Sequence, residues 1–358
     1  MTPALDKARI IVAGAGVFGS SIALTLAQAG AQVVLADPAA QGDNASGVAA
    51  GMLAPAFEAV LDGPMAGRFD LLRAARDLWP EFAAGLGDVD IGLRRSGALW
   101  LAGDDLDARE QALRAIGATT RRLSPAQVRQ RVPGAPSGQG GVYTGDDWRL
   151  SPGPALAALQ AAARRLGVGS VAQSVTGLDG GVAQLSDGRL IPADGLVLAT
   201  GADRSALVPE LCGLQPIKGH ILHYPAQGDR DGPTVRCAGG YIVGGSDGLH
   251  VGATMEAGLS DRAIDPAAVA RLRAMGEGLF PALAALTPVA RAAVRAATAD
   301  GLPLVGPSAR PGVYLAVGAR RNGWLLAPLV ARMTAAYLAG SDPGPHAPLF
   351  DSRRFAAV

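Results

Sequence analysis

Residues 9–38 read RIIVAGAGVFGSSIALTLAQAGAQVVLADP, and this pattern decides the first part of the fold. An apolar run that ends in glycines predicts a buried strand, and the apolar-periodic segment that stops at Gly30 predicts a helix. A second apolar run then ends at Asp37 and Pro38. The stretch therefore predicts a β-α-β unit of about thirty residues.

The turn between the first strand and the helix reads Gly14-Ala15-Gly16-Val17-Phe18-Gly19, which fits G-x-G-x-x-G. The first glycine permits a tight turn, the second lets the backbone approach a pyrophosphate, and the third lets the helix pack on the strand. Unpaired N–H groups at the helix start favour a phosphate there. Asp37 can accept hydrogen bonds from an adenosine ribose and would repel a 2′-phosphate. The unit therefore predicts a site for FAD or NAD rather than NADP.

Residues 45–55, ASGVAAGMLAP, carry almost only small side chains around one methionine. An extended flavin must be approached by backbone, whereas an NAD site needs no bare loop after the second strand, so this stretch favours FAD. Ser46 could donate a hydrogen bond to a phosphate oxygen. Met52 could pack against the flavin ring, since thioethers pack well on aromatic systems. The alternative interpretation of the same residues is the start of an alanine-rich helix.

Composition limits the class of protein. The 358 residues are 49% hydrophobic and 18% charged with a net charge of +1, so a large core can form and no attraction to nucleic acid is expected. Two distant cysteines, Cys212 and Cys237, do not make a disulfide framework. No stretch reaches the roughly 18 apolar residues of a membrane span. We expect a cytoplasmic protein without integral membrane contact. Whether it forms a homo-oligomer stays open.

Segments of two kinds alternate along the chain. Elements of β-α-β type occur at both ends and in the middle, separated by segments with the character of antiparallel strands. We predict an α/β protein with a discontinuous Rossmann-like domain over residues 1–87, 146–214 and 293–358. A second, α+β domain with a mostly antiparallel sheet would take residues 88–145 and 215–292.

Five separated motifs resemble those of one family. The glycine turn together with ASGVAAGMLAP resembles the D-amino acid oxidase-like FAD-dependent oxidoreductases, and more narrowly the glycine oxidases of thiamine biosynthesis (ThiO type). Further motifs follow in the family's order, namely LVLATG at 196–201, PIKG at 216–219 with HVGATME at 250–256, RAATADGLPLVG at 295–306 and VGARRNGWLLAP at 317–328. The resemblance covers nearly the whole chain.

The resemblance implies a substrate site built from Tyr241, Arg295 and Arg321. Arg295 would clamp the substrate carboxylate, for which a planar, bidentate guanidinium is suited. Tyr241 would add its hydroxyl, and Arg321 would contact substrate near the flavin, although Arg320 could exchange roles with it. Ala296 replaces a usual proline, and glycines surround Tyr241. These departures indicate a roomier pocket and leave the choice of substrate open.

The same resemblance implies FAD that is bound noncovalently, because neither cysteine lies in the final flavin loop. Backbone N–H groups where Asn322 and Gly323 open the last helix would stabilise the negative charge of the reduced ring. The expected cofactor contacts are Gly14, Gly16, Val17, Phe18, Gly19, Asp37, Pro38, Ala45, Ser46, Ala50, Gly51, Met52, Val175, Gly201, Ala319, Arg320, Arg321, Asn322, Gly323, Trp324 and Leu325.

Other chemistry finds little support in the sequence. No side chain is expected to act as a general acid or base, since hydride transfer needs none when the amine arrives neutral. No metal is expected, because His220 and His223 are three apart in a predicted strand and lie on opposite faces. Asp146-Asp147 predicts a turn rather than paired carboxylates. Lys218 is expected to be structural rather than to assist oxygen.

The expected reaction is FAD-dependent oxidative deamination of glycine, sarcosine or a small D-amino acid to the imine, with oxygen as acceptor and hydrogen peroxide as product. The resemblance implies that the imine feeds thiazole synthesis for thiamine. Two alternatives stay open. One is a D-amino acid dehydrogenase that passes electrons to a quinone, and the other is a non-catalytic, dinucleotide-binding regulatory subunit.

Overall fold

The structure, a computed structural model, describes residues 5–101, 105–204, 206–225 and 231–355. The strands within these ranges are β1 Arg9–Ala13, β2 Gln32–Ala36, β3 Met52–Leu53, β4 Ala98–Leu101, β5 Arg121–Leu123, β6 Gly141–Thr144, β7 Trp148–Arg149, β8 Gly169–Val171, β9 Val175–Asp179, β10 Val182–Leu185, β11 Leu190–Pro192, β12 Gly195–Leu198, β13 Gln215–Tyr224, β14 Thr234–Cys237, β15 Gly240–Gly245, β16 Gly248–Gly252, β17 Glu256–Ala257, β18 Val289–Ala297, β19 Leu304–Pro307 and β20 Val313–Val317.

The α-helices within the same ranges are α1 Val17–Gln28, α2 Ala45–Val48, α3 Pro55–Leu61, α4 Phe69–Asp77, α5 Trp79–Ala84, α6 Leu106–Ala115, α7 Pro125–Arg131, α8 Pro152–Arg165, α9 Pro266–Leu279, α10 Gly323–Leu338 and α11 Ala347–Phe350. Short 3₁₀ turns occupy Gly63–Met65, Pro209–Gly213 and Pro281–Ala285. In the part of the chain that is described, no helix has both the length and the apolar character needed to cross a bilayer.

A six-stranded sheet with the order β19-β20-β12-β1-β2-β8 forms the first half of the molecule. β1 is parallel to β2 and β12, and β20 and β8 extend the parallel set, whereas β19 is antiparallel to β20. One face packs on α1 and α10 through Val12, Val197 and Ala316, and α8 packs on α1. The other face packs on the small β9–β11 sheet through Ile11 and Leu315. The predicted Rossmann-like layering is confirmed.

The β1–α1 turn requires glycine for steric reasons. Gly14 has φ +104°, and a methyl group built on it would lie 2.3 Å from the carbonyl oxygen of Ala199. A methyl group on Gly19 would lie 1.7 Å from the Gly14 carbonyl oxygen. Larger residues would therefore push α1 away from the sheet and open the turn, as the sequence pattern predicts.

A nine-stranded sheet forms the second half, in the order β17-β13-β16-β15-β14-β4-β6-β5 with β18 added on β13. Most neighbouring pairs are antiparallel, whereas β14 and β4 are parallel. One face packs on α9 through Leu222 and Leu272, and the other presents Ile221 and Val243 to the small-residue stretch. The mostly antiparallel second sheet is confirmed. The exact domain boundaries stay a prediction, and β18 runs across the one proposed between residues 292 and 293.

The start of α8 ties the two halves together. Ser151 occupies the N-cap position, but its hydroxyl makes no capping bond to the helix. It instead accepts a hydrogen bond from the Ser246 backbone N–H at 3.0 Å and lies 3.0 Å from the Ser246 hydroxyl. Ser246 lies in the turn between β15 and β16, so the serine at the N-cap position of α8 connects this helix to the second sheet.

The chain bends at Gly145 and Asp146, one residue before the predicted turn, and Asp147 has a structural role that the sequence did not reveal. Its buried carboxylate accepts hydrogen bonds from the backbone N–H groups of Ala56 at 2.8 Å and Phe57 at 3.3 Å. Asp147 thus caps the first turn of α3 from 90 residues away, and α3 carries residues of the site described below.

Burial raises the pKa of Asp147 to about 7, although Arg236 and the two N–H donors oppose that rise. The folded protein therefore keeps a proton that the unfolded chain releases, so the free energy of unfolding should fall as pH rises from about 4 to about 7. Asp147→Asn should flatten this dependence, as measured by urea unfolding at several pH values. The exposed Asp88→Asn is the control, and an unchanged slope in Asp147→Asn would contradict the assignment.

Candidate active site

Two adjoining cavities lie where the parallel strands end. The first, the strand-end cavity, measures about 380 Å³ and is walled by the segments that follow β1, β2, β12 and β20. The second, the arginine cavity, measures about 330 Å³ and contains Arg236, Arg295 and Arg321. Ala49, Arg295, Arg321 and Trp324 form walls of both, so the two cavities are parts of one trough. Ligands of open α/β sheets bind at this edge.

Most of the expected cofactor residues form the walls of the strand-end cavity. They are Gly14, Gly16, Val17, Phe18, Asp37, Ala45, Ser46, Gly201, Ala319, Arg320, Arg321, Gly323 and Trp324. A methyl group on Gly16 would approach only the Ser46 hydroxyl, at 3.1 Å. The backbone is therefore bare on the side that a diphosphate would approach.

Asp37 and Ser46 are held in place by backbone N–H groups. The Asp37 carboxylate accepts hydrogen bonds from Ala15 N–H at 2.6 Å and Ala39 N–H at 2.8 Å. The Ser46 hydroxyl accepts one from Val17 N–H at 2.9 Å, which occupies a donor of the first turn of α1. The Ser46 hydroxyl keeps its own proton available for a ligand oxygen, and its contact with a phosphate stays a prediction.

The small-residue stretch 45–55 serves two purposes. Asn44 caps α2 by accepting hydrogen bonds from the N–H groups of Ser46 and Gly47, so the helical interpretation is correct for Ala45–Val48. Ala50, Gly51 and Met52 form part of the wall of the arginine cavity. The small side chains therefore allow both a tight helical turn and a bare cavity wall.

Gly51 and Gly42 make a matched pair for testing this wall. Both have φ +77°, but a methyl group on Gly51 would lie 2.1 Å from the Leu150 carbonyl oxygen, whereas one on Gly42 would meet nothing within 4 Å. Gly51→Ala should lower the free energy of unfolding by about 2–5 kcal/mol and release FAD. Gly42→Ala should cost only about 1–2 kcal/mol of backbone strain. Urea unfolding and flavin content measure both, and equal losses would contradict the steric argument.

Arg295 is a partly buried cation without a matching anion among the described residues. It lies on β18, and a methyl group on Gly219 of the adjacent β13 would lie 2.1 Å from its Nη1. Nη1 donates to the Thr254 carbonyl oxygen at 3.3 Å. No carboxylate of the described residues lies within 4 Å of the guanidinium. Burial lowers the pKa of Arg295, and an anionic ligand would offset that cost.

Tyr241 lies in the arginine cavity beside the strand that carries Gly252. Its phenol oxygen is 2.7 Å from where a methyl group on Gly252 would be, so the ring lies flat against the backbone there. Burial raises the pKa of Tyr241, which keeps the hydroxyl protonated and able to donate a hydrogen bond to a carboxylate.

Glu58 and Arg236 belong to the site but were missed by the sequence analysis. Arg321 Nε donates to Glu58 Oε2 at 2.5 Å, and Arg236 Nη2 donates to Glu58 Oε1 at 3.2 Å. Burial pushes the pKa of Glu58 up, but Arg321 and Arg236 together hold it below its ordinary value. Arg236 Nη2 also lies 3.3 Å from Met52 Sδ. No local motif marks either residue, since they meet only through tertiary folding.

The structure separates the roles of the two adjacent arginines. Arg320 has φ +52° and forms an ion pair with Asp62, and it faces the strand-end cavity only. Arg321 borders both cavities and pairs with Glu58 and Asp62. Of the two, Arg321 is therefore the one that borders the arginine cavity.

Unpaired polar atoms on the cavity walls fit an added anionic group. Arg321 Nη2, Asn322 Nδ2, Arg236 Nε and Thr200 Oγ1 are buried and have no hydrogen-bond partner in the described part of the chain. Buried donors are normally paired, so these four indicate a ligand that completes them. The bare backbone around Gly16 and the donors at the start of α10 are what a flavin dinucleotide needs.

Several predicted residues lie elsewhere. Gly19, Pro38, Val175 and Leu325 do not form part of either cavity wall, and Val175 and Leu325 lie in hydrophobic core. Their contact with cofactor therefore stays a prediction. Lys218 pairs with Asp261 at 2.5 Å and also lies outside both cavities, which agrees with a structural role. Both cysteines are free thiols, and Cys237 borders the arginine cavity.

Comparison with known proteins agrees with this geometry. The sequence model of the DAO family, described as FAD dependent oxidoreductase, matches residues 9–337. Glycine oxidase of Pseudomonas aeruginosa is 30% identical over 95% of this chain and 98% of its own length.

Two solved structures share the whole architecture. Glycine oxidase from Geobacillus kaustophilus superposes with a TM-score of 0.85 at 27% identity, covering 98% of this chain and 100% of that one. Iminodiacetate oxidase from Chelativorans sp. BNC1 also has a TM-score of 0.85, at 25% identity, covering 96% and 98%. The chain therefore belongs to the DAO family of FAD-dependent oxidoreductases, as its motifs predicted, and FAD is its cofactor.

Proposed function

We propose that this enzyme oxidises glycine, sarcosine or a small D-amino acid to the imine and releases hydrogen peroxide. The observation that carries the proposal is Arg295, a partly buried guanidinium with no carboxylate partner among the described residues, at the junction of the two cavities. A carboxylate matches this fork with two parallel hydrogen bonds. Tyr241 can add a third donor, which would fix one end of an amino acid in the trough.

Bound FAD supplies the acceptor for the two electrons that leave the α-carbon. The pyrophosphate would lie against the backbone of Gly14–Val17 at the start of α1, and Asp37 would receive the adenosine ribose. Asn322 and Gly323, which open α10, would hold negative charge at the other end of the trough.

Among the described residues of the arginine-cavity wall, no side chain is a good proton acceptor for the substrate amine. Glu58 is the carboxylate found among the described residues of the arginine-cavity wall, and its two guanidinium partners keep it ionised and a weak base. The amine must therefore arrive neutral, and the chain contributes binding and orientation rather than acid–base chemistry.

FAD is proposed to bind without a covalent link. Cys237 borders the arginine cavity, but burial raises the pKa of its thiol, and a protonated thiol is a poor nucleophile. Acid precipitation of the holoenzyme should therefore release all the flavin into the supernatant. Flavin that stays with the precipitate would contradict this.

A substrate screen under argon tests the reaction. The visible absorbance of the flavin should bleach when glycine or sarcosine is added to the holoenzyme. Bleaching by D-alanine or D-proline but not by glycine would refute the glycine assignment. A holoenzyme that no amine reduces would support the non-catalytic alternative.

The electron acceptor is tested separately in air. We propose oxygen, so one hydrogen peroxide should form for each imine produced. Fast turnover with a quinone-like dye and none with oxygen would support the dehydrogenase alternative instead.

A second candidate substrate is a secondary amine that carries two carboxylates. The charged residues found among the described wall residues of the arginine cavity are Arg236, Arg295, Arg321 and Glu58, so cations exceed anions by two. A single carboxylate would leave one positive charge without a counterion, and Arg236 Nε is among the unpaired donors. The similarity to iminodiacetate oxidase also supports a substrate with two carboxylates.

The comparison of iminodiacetate with glycine decides between the two candidates. If Arg236 binds a second carboxylate, iminodiacetate should have the higher kcat/KM, and Arg236→Gln should remove that preference. If Arg236→Gln lowers kcat/KM equally for iminodiacetate and glycine, Arg236 does not bind a second carboxylate and acts only through its contact with Glu58.

The ThiO-type motifs further support a role in supplying the imine for thiamine thiazole synthesis, in the cytoplasm. The chain should restore thiamine-independent growth to a bacterium that lacks its own glycine oxidase. The Arg295→Ala variant should not restore growth. If the unchanged chain and the variant both restored it, the growth would not result from amine oxidation.

A further inference from the structure

Three side chains of metal-ligand type meet at a place that the active site does not use. His223 on β13 and His250 on β16 are directly opposite each other in an antiparallel pair. Asp247 lies in the turn that precedes β16, next to Ser246. None of the three forms part of either cavity wall. Both imidazoles are buried, and the carboxylate is partly exposed.

Their separations are close to those of a ligand set. His250 Nε2 lies 3.2 Å from Asp247 Oδ1, and His223 Nε2 lies 3.8 Å from Asp247 Oδ2. The three ligand atoms all lie within 4.8 Å of one another. Metal–ligand bonds of about 2.0–2.2 Å place tetrahedral ligands about 3.3 Å apart. Side-chain movements of about 1.5 Å or less would therefore bring the three ligand atoms to tetrahedral separations.

The pairing of β13 with β16 places His223 and His250 side by side. Directly paired residues of antiparallel strands project from the same face of the sheet. The two imidazole rings are stacked, with centroids 4.7 Å apart and planes at 23°. His223 Nε2 also lies 2.9 Å from the Asp247 carbonyl oxygen, to which it donates a hydrogen bond when it carries a proton. A metal ion bound at this nitrogen would displace the proton and replace that hydrogen bond. Along one strand His220 and His223 lie on opposite faces, and it is the pairing of β13 with β16 that brings His250 beside His223.

We propose that His223, Asp247 and His250 bind one divalent first-row transition ion. Imidazole nitrogen favours such ions over the hard ions Mg²⁺ and Ca²⁺, which prefer oxygen ligands. Three protein ligands leave positions for water, on the side where Asp247 is exposed.

The ion would act on the structure rather than on the amine oxidation. It would link β13 to the β15–β16 turn. Through the neighbouring Ser246, whose N–H bonds to the Ser151 hydroxyl, it would also hold the second sheet against the start of α8. The proposal does not depend on the proposed substrate.

Titration of tag-free holoenzyme with Zn²⁺ tests the site. After dialysis against a chelator and then chelator-free buffer, calorimetry should show one Zn²⁺ per chain and no binding of Mg²⁺. His223→Asn and His250→Asn should each weaken the binding by at least about 10- to 100-fold. His346→Asn, at the start of α11, is the control and should bind as the unchanged protein does.

Two results would overturn the proposal. One is the absence of saturable Zn²⁺ binding by the unchanged holoenzyme. The other is one-to-one binding that survives in the His223→Asn/His250→Asn double variant. Flavin content and unfolding temperature in chelator show whether each variant is folded, and Asp247→Asn replaces a histidine variant that is not.

Discussion

Replacing Arg295 by alanine should lower kcat/KM for the amino acid by about 150- to 5,000-fold, mainly through a higher KM. Removing one partner of a buried, hydrogen-bonded charge pair costs about 3–5 kcal/mol, because the other charge is left unpaired. Here the unpaired charge would be the substrate carboxylate in the trough. Stopped-flow reduction of the flavin under argon separates the weaker binding from the rate of the hydride step.

Matched variants make this result specific. Arg291 lies on the same strand and is exposed, so Arg291→Ala should leave KM unchanged. Arg295→Lys keeps the charge but loses the bidentate geometry, so its KM should lie between the KM values of Arg291→Ala and Arg295→Ala. Unchanged kinetics in Arg295→Ala, with flavin content intact, would show that the carboxylate binds elsewhere.

Replacing Glu58 by glutamine should lower the free energy of unfolding by about 3–5 kcal/mol. The change keeps the shape of the side chain but leaves Arg236 and Arg321 facing each other without the anion that separates them. Urea unfolding of the holoenzyme measures the loss. We also expect a higher KM, because the freed guanidiniums can reorient in the arginine cavity.

The pH dependence gives a second test of the same residue. The folded protein lowers the pKa of Glu58, so the stabilisation by this carboxylate is present above the unfolded pKa and is lost as pH falls through the lower, folded value. The difference between the unchanged protein and Glu58→Gln should therefore shrink in acid. Glu81→Gln, at an exposed position of α5, should stay within about 0.5 kcal/mol of the unchanged protein at every pH. A constant difference for Glu58→Gln would contradict the ion-pair assignment.

Much of the fold could be predicted because its signals are local. The β1–α1 turn is encoded by glycines that no other residue can replace there, and the apolar runs on either side identify the strands. Arg295 and Tyr241 could be chosen only through family motifs, since nothing local distinguishes one arginine of this chain from another.

The sequence by itself determined the nucleotide-binding half, the cofactor class and the order of the motifs. The backbone conformations of that half require glycine at neighbouring positions, so a short stretch of residues is enough to recognise them. Only the tertiary structure decided which charges meet. Glu58 reaches Arg236 across 178 positions and Arg321 across 263, and His223 reaches His250 through strand register. Such pairings depend on which distant segments are buried against each other, and no short stretch of residues carries that information.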